Sequence, residues 1–384
     1  MITPNHRLVH QNRFQDRVTA GSQGSGNQFT CRAECRTDWQ KTIMPGVLSK
    51  QQKRGVSQYA IVCIVLALFF NCLGVARADP VFRFGTGGSD GTYFPIGSLI
   101  AAAINEKRVR TESGEQLLVI PQRSSGSVAN LVDMSEGLLE AGLAQADVVN
   151  LAFHGEEQFE NMSAYRNLRT VGTLYHESVH LVVRADSEIN EVSDLRGRRV
   201  SVDELGSGTQ LDVEPILAAF NLSFEDIQPI YLKPVDSIER MRRGLLDAFF
   251  VIAGYPLSGI KKLADDGVGR VISLQGENVE KLTDDYLYFT TQIIPKGIYS
   301  NELEIPTLSV PAQIIVREDI SEHTIYQITK ILWNSDTLNS LASGHSKGSE
   351  IEAGKALQGI GIPLHRGAAR YYREVGFDLN SVPQ

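Results

Sequence analysis

The sequence predicts an α/β fold of two lobes, each a mainly parallel sheet flanked by helices, with a ligand cleft between the lobes. The first observation is the order of residue patterns. From residue 79 onward, short β-like runs alternate with amphipathic helical runs, which is typical of a parallel sheet covered by helices on both faces. The second observation is a pair of longer extended stretches, 171–184 and 307–317. These stretches indicate that the chain leaves one lobe, crosses to the other and returns.

The individual elements follow from the same patterns. The first lobe is expected to hold three strands, each followed by a helix: strands at 81–84, 117–121 and 141–144, and helices at 94–105, 128–136 and 148–153. The second lobe repeats the alternation: strands at 199–202, 228–232 and 248–253, and helices at 210–220 and 238–244. Two helical segments follow residue 317. The predicted domains are therefore a discontinuous lobe, 79–182 plus 312–384, and a second lobe, 183–311.

The first 78 residues differ from the rest and predict export. Lys53-Arg54 precede an apolar run that starts at Tyr59, and Ala76-Arg77-Ala78 place small residues at alternate positions after it. A basic flank, an apolar core and a small-x-small end form a secretory signal. We therefore expect cleavage after Ala78 and a periplasmic mature protein. Translation is then expected to start internally, for example at Met44, with residues 1–43 not translated.

Two other interpretations of this N-terminal segment stay open. An uncleaved membrane anchor needs about 20 apolar residues, whereas this run ends at Asn71 and no basic cluster follows it. A lipid-modified cysteine would be Cys72, but Phe69-Phe70-Asn71 before it lack the small residues that such a site requires. The cleaved signal therefore agrees best with the residues.

Cysteine content and charge narrow the class of protein. All four cysteines precede Asp79, so the exported part would hold no disulfide, thiolate metal site or cysteine nucleophile. A chain without thiols suits an oxidising compartment. Residues 1–78 carry ten Lys/Arg and three Asp/Glu, which leaves a net charge of −15 on residues 79–384. A strongly negative protein is not expected to bind nucleic acid or an anionic membrane.

The segment GTGGSDGTY, residues 85–93, is the strongest sign of a ligand site. Its glycines let the backbone turn sharply and approach a ligand. The helix expected after it offers free N–H groups and a partial positive charge to an anion. Gly88, Thr92 and Tyr93 are the candidate contacts, and Thr92 is also a candidate helix cap. A dinucleotide fingerprint would need glycine where Asp90 stands, and a P-loop would need a lysine that this segment lacks. A purely structural turn is the alternative interpretation.

Four more turns follow predicted strands. They supply the remaining candidate ligand-binding residues: Ser125, Ser127, Gln145, Asp147, Ser207, Gly208, Thr209, Tyr255 and Pro256. Taken singly, each turn is better explained by an ordinary helix cap. Taken together, they place polar side chains at the carboxyl ends of parallel strands, where open α/β sheets bind ligands. We therefore expect these turns to converge on the cleft.

One motif suggests a different chemistry, because His176-Glu177-Ser178-Val179-His180 matches the H-E-x-x-H pattern of zinc proteases. That site needs a helix, since residues four apart then share one face. The surrounding LYHESVHLVVR alternates and is rich in β-forming residues. On a strand the two histidines would lie roughly 13 Å apart, at about 3.3 Å per residue. One zinc ion with bonds of about 2 Å cannot bind both, so we expect no metal site here.

No other group of residues indicates catalysis. The G-x-S-x-G pattern occurs at 87–91 and 344–348, and by itself it does not establish a nucleophile, which also needs a histidine and an acidic residue placed beside the serine. No titratable pair or metal-ligand cluster stands at a convincing spacing. We therefore expect a binding protein that uses no cofactor and no metal, rather than an enzyme.

An ordered set of short motifs resembles the TAXI-type solute receptors of TRAP transporters. The motifs are Gly85-Thr86-Gly87-Gly88, Gly91-Thr92-Tyr93, Ser125-Gly126-Ser127-Val128-Ala129-Asn130-Leu131, Gln145-Ala146-Asp147, His180-Leu181-Val182-Val183-Arg184, Gly206-Ser207-Gly208-Thr209, Ala253-Gly254-Tyr255-Pro256, Ile362-Pro363-Leu364-His365 and Tyr371-Tyr372. The resemblance implies a type II periplasmic-binding-protein fold and a membrane permease driven by an ion gradient as partner. It also implies glutamate, glutamine or a dicarboxylate as ligand. Ser89-Asp90 departs from the pattern of the relatives, so an anion at this turn requires Asp90 to point away or to meet a ligand ammonium group.

The sequence thus predicts a monomeric, extracytoplasmic solute-binding protein whose lobes close over the ligand and present a new surface to the permease. A ligand sensor without transport and an enzyme built on the same fold are the alternatives. A permease gene beside this one would favour transport over sensing. A titratable pair or metal cluster in the cleft would favour the enzyme.

Overall fold

The structure is a computed structural model and describes residues 80–160 and 163–383. All of these residues belong to one unit, Arg77–Gln384. The expected signal segment and its cleavage position after Ala78 lie outside the described residues. None of the described helices is long and apolar enough to cross a membrane.

Strands and helices alternate along the described residues. The strands are β1 (Val81–Gly85), β2 (Leu118–Gln122), β3 (Ala141–Gln145), β4 (Leu168–Arg184), β5 (Arg199–Ser201), β6 (Gln228–Ile230), β7 (Ala248–Ala253), β8 (Gly269–Ile272), β9 (Thr290–Ile294) and β10 (Ile305–Arg317). The α-helices are α1 (Tyr93–Glu106), α2 (Ser127–Ser135), α3 (Ala146–His154), α4 (Gly208–Ala219), α5 (Pro234–Arg242), α6 (Ser258–Asp265), α7 (Glu277–Asp285), α8 (Glu322–Leu332), α9 (Ser335–Gly344) and α10 (Arg366–Glu374). Short 3-10 turns lie between several of these elements.

The strands form one sheet in the order β2-β1-β3-β10-β4-β7-β5-β6, with β9 beside β10 and β8 beside β4. Strands β2, β1 and β3 are mutually parallel, and so are β6, β5 and β7. Between these two groups run β10 and β4, which are antiparallel to each other and to the neighbouring strands of the parallel groups. Within each parallel group the carboxyl ends of the strands share one edge, which is where such sheets bind ligands.

Strands β4 and β10 are the longest, with 17 and 13 residues, and each takes part in both ends of the sheet. Residues 312–316 of β10 pair with β3, whereas residues 305–309 pair with β9. The first part of β4 pairs with β10, and residues 178–183 pair with β7. The chain therefore crosses from one end of the sheet to the other along β4 and returns along β10.

Each end of the molecule has hydrophobic cores of its own. Two clusters of buried side chains come from residues up to Tyr175 and from Ala312 onward, and one of them also includes Leu211. The other two clusters come from residues between Val179 and Val310. We refer to the described residues up to 175 and from 312 as the first half, and to residues 179–310 as the second half. Since each half buries its own apolar surface, each has its own source of stability.

The predicted α/β class is confirmed, with a multi-stranded sheet flanked by helices. The residue pattern did not predict α6, α7, β8 and β9 in the second half. Helix α7 is difficult to recognise because most of its residues are polar and it buries Val279 and Leu282 alone among its nine residues. After β10 the structure has three helices where two were predicted. The lobe boundaries at 182/183 and 311/312 stay a prediction.

Candidate functional site

A cavity lies between the two halves, at the carboxyl ends of strands from both parallel groups. Its walls come from the turns after β1 and β2 and the end of β3, and from the turns after β5 and β6 and the end of β7. Its volume is about 90 Å³, well above the roughly 10–15 Å³ that one water molecule needs. Nine of the twelve predicted ligand contacts line it: Gly88, Thr92, Tyr93, Ser125, Ser127, Gln145, Ser207, Gly208 and Thr209.

Four helices begin at this cavity. Helices α1 and α2 of the first half start at Tyr93 and Ser127, and helices α4 and α5 of the second half start at Gly208 and Pro234. The first N–H groups of a helix have no partner within it and carry a partial positive charge. The wall of the cavity is therefore suited to a carboxylate or another small anion.

Hydrogen bonds join the two halves directly beside the cavity. Thr92 Oγ1 accepts a hydrogen bond from Gly254 N at 3.0 Å and donates one to Gly254 O at 3.3 Å. Ala129 N donates to Gly206 O at 3.0 Å. Thr92 occupies the N-cap position of α1, as expected, but its side chain makes no cap hydrogen bond. Its hydroxyl instead forms hydrogen bonds between the first and second halves. We refer to this arrangement, with the halves in contact, as closed.

We expect Thr92→Val to weaken this closed arrangement without unfolding the protein. Valine keeps the shape of threonine but removes both hydrogen bonds, so the buried Gly254 N–H loses its acceptor. An unsatisfied buried group costs about 1–3 kcal/mol, which corresponds to roughly 5–150-fold in ligand affinity. Titration calorimetry measures this change. Thr111→Val, outside the cavity lining, is the matched control, and wild-type affinity in Thr92→Val would contradict the expectation.

Carboxyl groups are the second feature of the cavity wall. Glu177 and Asp203 are buried, with 3% and 7% of their surface exposed. Burial raises the pKa of Glu177 to about 8, although the Tyr93 hydroxyl opposes this rise. Burial likewise raises the pKa of Asp203 to about 7, against a hydrogen bond of 2.8 Å from Glu204 N. Both carboxyl groups would be stabilised in the ionised form by a ligand that brings a positive charge.

Charged side chains at the more open part of the lining have both signs. Asp90 is exposed and Glu204 is half-buried, and both contribute to the lining. Lys233 precedes α5, and its Nζ lies 3.8 Å from Glu204 Oε2. The cavity as a whole therefore combines four carboxyl groups and a lysine with four helix N-termini.

Three predicted contacts lie outside the cavity lining: Asp147, Tyr255 and Pro256. Asp147 is fully buried in the first turn of α3, one layer behind Gln145. The Tyr255 ring lies under the ammonium group of Lys347, 3.8 Å from Nζ to the ring centroid. Pro256 is half-buried and follows Tyr255 through a cis peptide bond.

Comparison with known proteins identifies the family of this chain. Residues 84–376 match the NMT1-like family, and this range includes the whole cavity lining. The chain belongs to the NMT1-like family. The finer resemblance of this NMT1-like chain to TAXI-type receptors stays a prediction.

Solved structures that are similar to this NMT1-like chain include three binding proteins. The alkanesulfonate-binding protein SsuA from Xanthomonas axonopodis pv. citri, bound to MOPS, is 17% identical, with a TM-score of 0.42 over 76% of this chain and 85% of that chain. A binding protein component of an ABC phosphonate transporter from Pseudomonas aeruginosa is 12% identical, with a TM-score of 0.42 over 69% and 79%. A truncated, arginine-bound ArgBP from T. maritima is 12% identical, with a TM-score of 0.38 over 66% and 94%.

The two histidines of the H-E-x-x-H pattern lie on strand β4 of this NMT1-like protein, as predicted. His180 is buried, with Nδ1 3.3 Å from Val251 O and Nε2 2.9 Å from the Tyr299 hydroxyl. His176 Nδ1 lies 3.4 Å from Ser309 Oγ. Within residues 80–160 and 163–383, no three His, Cys, Asp or Glu side chains are placed to hold a metal ion together.

Four charged residues of the cavity were not predicted from the sequence: Glu177, Asp203, Glu204 and Lys233. For Glu177 a signal was present, because an acidic residue among Tyr, Val and Leu on a buried strand needs a compensating partner. Asp203 follows a buried strand almost directly, as ligand-binding residues of open sheets often do. Lys233 carries no such local signal, since it precedes a proline that begins an ordinary helix.

Proposed function

We propose that this protein is the extracytoplasmic solute-binding protein of an uptake transporter and that it binds an amino acid such as glutamate without catalysing a reaction. The observation that carries the proposal is the composition of the cavity wall. Helix N-termini from both halves face the same space as the buried carboxyl groups of Glu177 and Asp203.

A zwitterion satisfies both features of this wall. Its carboxylate would accept hydrogen bonds from N–H groups at Tyr93, Ser127 and Gly208, where a negative charge is stabilised. Its ammonium group would lie against Glu177 and Asp203, which are otherwise costly to ionise because they are buried. A dicarboxylate without an ammonium group would leave these two carboxyl groups uncompensated.

The contacts between the halves suggest how binding is coupled to transport. The closed arrangement depends on contacts such as Thr92 to Gly254, and a ligand that touches both halves shifts the population toward it. The closed surface would then be recognised by the membrane permease. We propose a monomeric periplasmic protein with two lobes, 79–182 plus 312–384 and 183–311, which needs neither cofactor nor metal.

The class of permease is proposed on the residue resemblance as TRAP-type, driven by an ion gradient. An ABC-type permease, the kind that serves the compared phosphonate-binding protein, is the alternative. Uptake of the ligand by cells that express this protein with its neighbouring permease genes distinguishes the two classes of permease. Loss of uptake on dissipating the ion gradient, with ATP kept constant, favours the TRAP class.

Titration calorimetry of the full chain at neutral pH tests the ligand. The panel is glutamate, glutamine, glutarate and γ-aminobutyrate, which separates the α-carboxylate from the α-ammonium group. We expect glutamate or glutamine to bind at least about 30-fold more tightly than glutarate, because a lost charge-assisted contact costs roughly 2–5 kcal/mol. Equal affinity for glutarate and glutamate would contradict a binding site for the ammonium group. If none of the four compounds produces heat on titration, the proposed ligand class is wrong.

A further inference from the structure

Behind the cavity, the two halves meet through a pair of buried carboxyl groups. Asp147 lies in the first turn of α3 in the first half, and Asp212 lies in α4 of the second half. Both side chains are fully buried, and the two carboxyl groups are in hydrogen-bonding contact with each other. Two carboxylates cannot hydrogen-bond unless one of them carries a proton.

A short chain of hydrogen bonds connects this pair to the cavity. Ser127 Oγ donates to Gln145 Oε1 at 3.2 Å, and Gln145 Nε2 donates to Asp212 Oδ2 at 2.9 Å. The Ser127 and Gln145 side chains belong to the first half and line the cavity, whereas Asp212 belongs to the second half. The buried pair is therefore part of the contact that forms when the halves close.

No cation compensates the pair in the described part of the chain. The described side chain that donates to the pair, Gln145, is uncharged. The ionisable groups that act on the pair are acidic or phenolic: Glu157 of the turn after α3, Glu177 of β4, and Tyr288 before β9. Glu214 of α4 acts in turn on Glu157. A second negative charge at this position would be both desolvated and repelled.

The two carboxyl groups are unequal. Asp147 stands at the N-terminal end of a helix, where the backbone N–H groups of Asp147 and Val148 favour its ionised form. Burial raises its pKa to about 6. The pKa of Asp212 is raised well above its usual range by burial and by Asp147. Burial of the pair thus favours a state in which the two carboxyl groups hold one proton between them.

We propose that Asp147 and Asp212 share one proton in the closed arrangement and release it when the halves separate, so that closure weakens as the pH rises. Separation exposes both groups to water, where an aspartate ionises near pH 4. The closed state then binds more protons than the open state over the range between pH 4 and the pKa of the closed pair. The contribution of the pair to closure is complete at the acidic end of this range and is lost toward its alkaline end. For one proton, the equilibrium constant for closure falls by up to tenfold per pH unit.

Hydrogen exchange of the full chain, measured by mass spectrometry without ligand, tests the proposal. The peptides to follow contain Ala129 and Gly254, whose N–H groups donate hydrogen bonds across the halves. Asp212→Asn is the key variant, because an amide at this position donates to Asp147 at every pH. We expect wild type and Asp212→Asn to be protected alike at pH 5. At pH 8, the wild-type peptides should exchange roughly tenfold faster, or more, than the same peptides of Asp212→Asn at pH 8.

Two further variants keep the experiment decisive. Asp147→Asn places the permanent donor on the other side of the pair, so it serves if Asp212→Asn fails to fold. Asp133→Asn, outside the cavity and the pair, should behave as wild type at both pH values. Glu177 and Asp203 also titrate, but they are present in every variant, so their effect cancels. Equal exchange in wild type and Asp212→Asn at pH 8, or the same difference at pH 5 and pH 8, overturns the proposal.

The proposal also predicts that ligand binding is accompanied by proton uptake, a consequence that rests on the proposed function. Calorimetry in two buffers of different ionisation enthalpy measures the number of protons taken up. Comparing wild type with Asp212→Asn, we expect wild type to take up as much as one proton more on binding glutamate or glutamine. If no amino acid binds, the proposed function fails while the exchange experiment still tests the pair. If an amino acid binds with the same proton count in both proteins, the proton proposal fails alone.

Discussion

Replacing Gly208 with leucine is expected to prevent the two halves from closing and to abolish measurable ligand binding. A Cβ atom at Gly208 would lie 1.4 Å from Gln145 Oε1 and 3.0 Å from Ser127 Oγ. Gln145 cannot move aside freely, because its amide group is hydrogen-bonded to Ser127 and to Asp212. Overpacking costs about 1–3 kcal/mol, and a lost hydrogen bond to a charged group costs about 1.5–3 kcal/mol. Together these losses correspond to a decrease in affinity on the order of 10²–10⁴-fold.

Titration calorimetry and thermal unfolding distinguish this effect from misfolding. The hydrophobic cores of both halves remain intact in Gly208→Leu, so we expect the midpoint of unfolding to change little. Gly354→Leu is the matched control, because a Cβ atom there meets no atom within 4 Å, and it should bind as wild type. Wild-type affinity in Gly208→Leu would mean that ligand binding does not use this cavity.

Glu177→Gln is expected to produce the second large loss of affinity. Glutamine has nearly the same shape as glutamate but cannot ionise, so the ammonium group of an amino acid would lose its buried counter-charge. Removing one partner of a buried charge pair costs about 2–5 kcal/mol, or roughly 30–4,000-fold in Kd. Calorimetry with the tightest ligand of the panel measures the loss.

The charge rather than the shape of Glu177 is the property under test. Because burial raises the pKa of Glu177 to about 8, much of Glu177 is protonated at neutral pH. A cationic ligand lowers that pKa, so wild-type binding near pH 7 should release protons from Glu177, and Glu177→Gln should not. Glu277→Gln, an exposed position on α7, is the matched control. Unchanged affinity for an amino acid in Glu177→Gln would place the ammonium group elsewhere.

Local chemistry carried much of the site prediction. Glycine, serine and threonine at strand-to-helix turns are recognisable from the sequence alone, and seven such predicted residues lie around one cavity together with Tyr93 and Gln145. Gln145 and Asp147 show the limit of this reasoning. The two stand at the same turn, yet the side chain of Gln145 faces the cavity and that of Asp147 faces α4. Two residues of helical rotation decide between these directions, and spacing in the sequence does not fix where the helix begins.

Long-range pairing accounts for what the sequence missed. Glu177 reaches the cavity because β4 pairs with β10 on one side and approaches β7 on the other. The Asp147 and Asp212 pair depends on two residues 65 positions apart in the sequence. Neither contact leaves a periodic pattern, because each forms only when separate elements are brought together by the sheet.

Strands β4 and β10 also limit how the two halves can move. Both connections between the halves are extended, hydrogen-bonded to each other over residues 168–178 and 309–317, and leave little freedom for the halves to slide or rotate independently. We therefore expect opening to be a bend of this ribbon between the two cores, near residues 176–178 and 311. A double-stranded ribbon bends easily across its flat face and resists shear along its length. Each cycle of opening would therefore return the same turns to the same positions. The geometry of the site would then be maintained by strands β4 and β10 and not by the bound ligand.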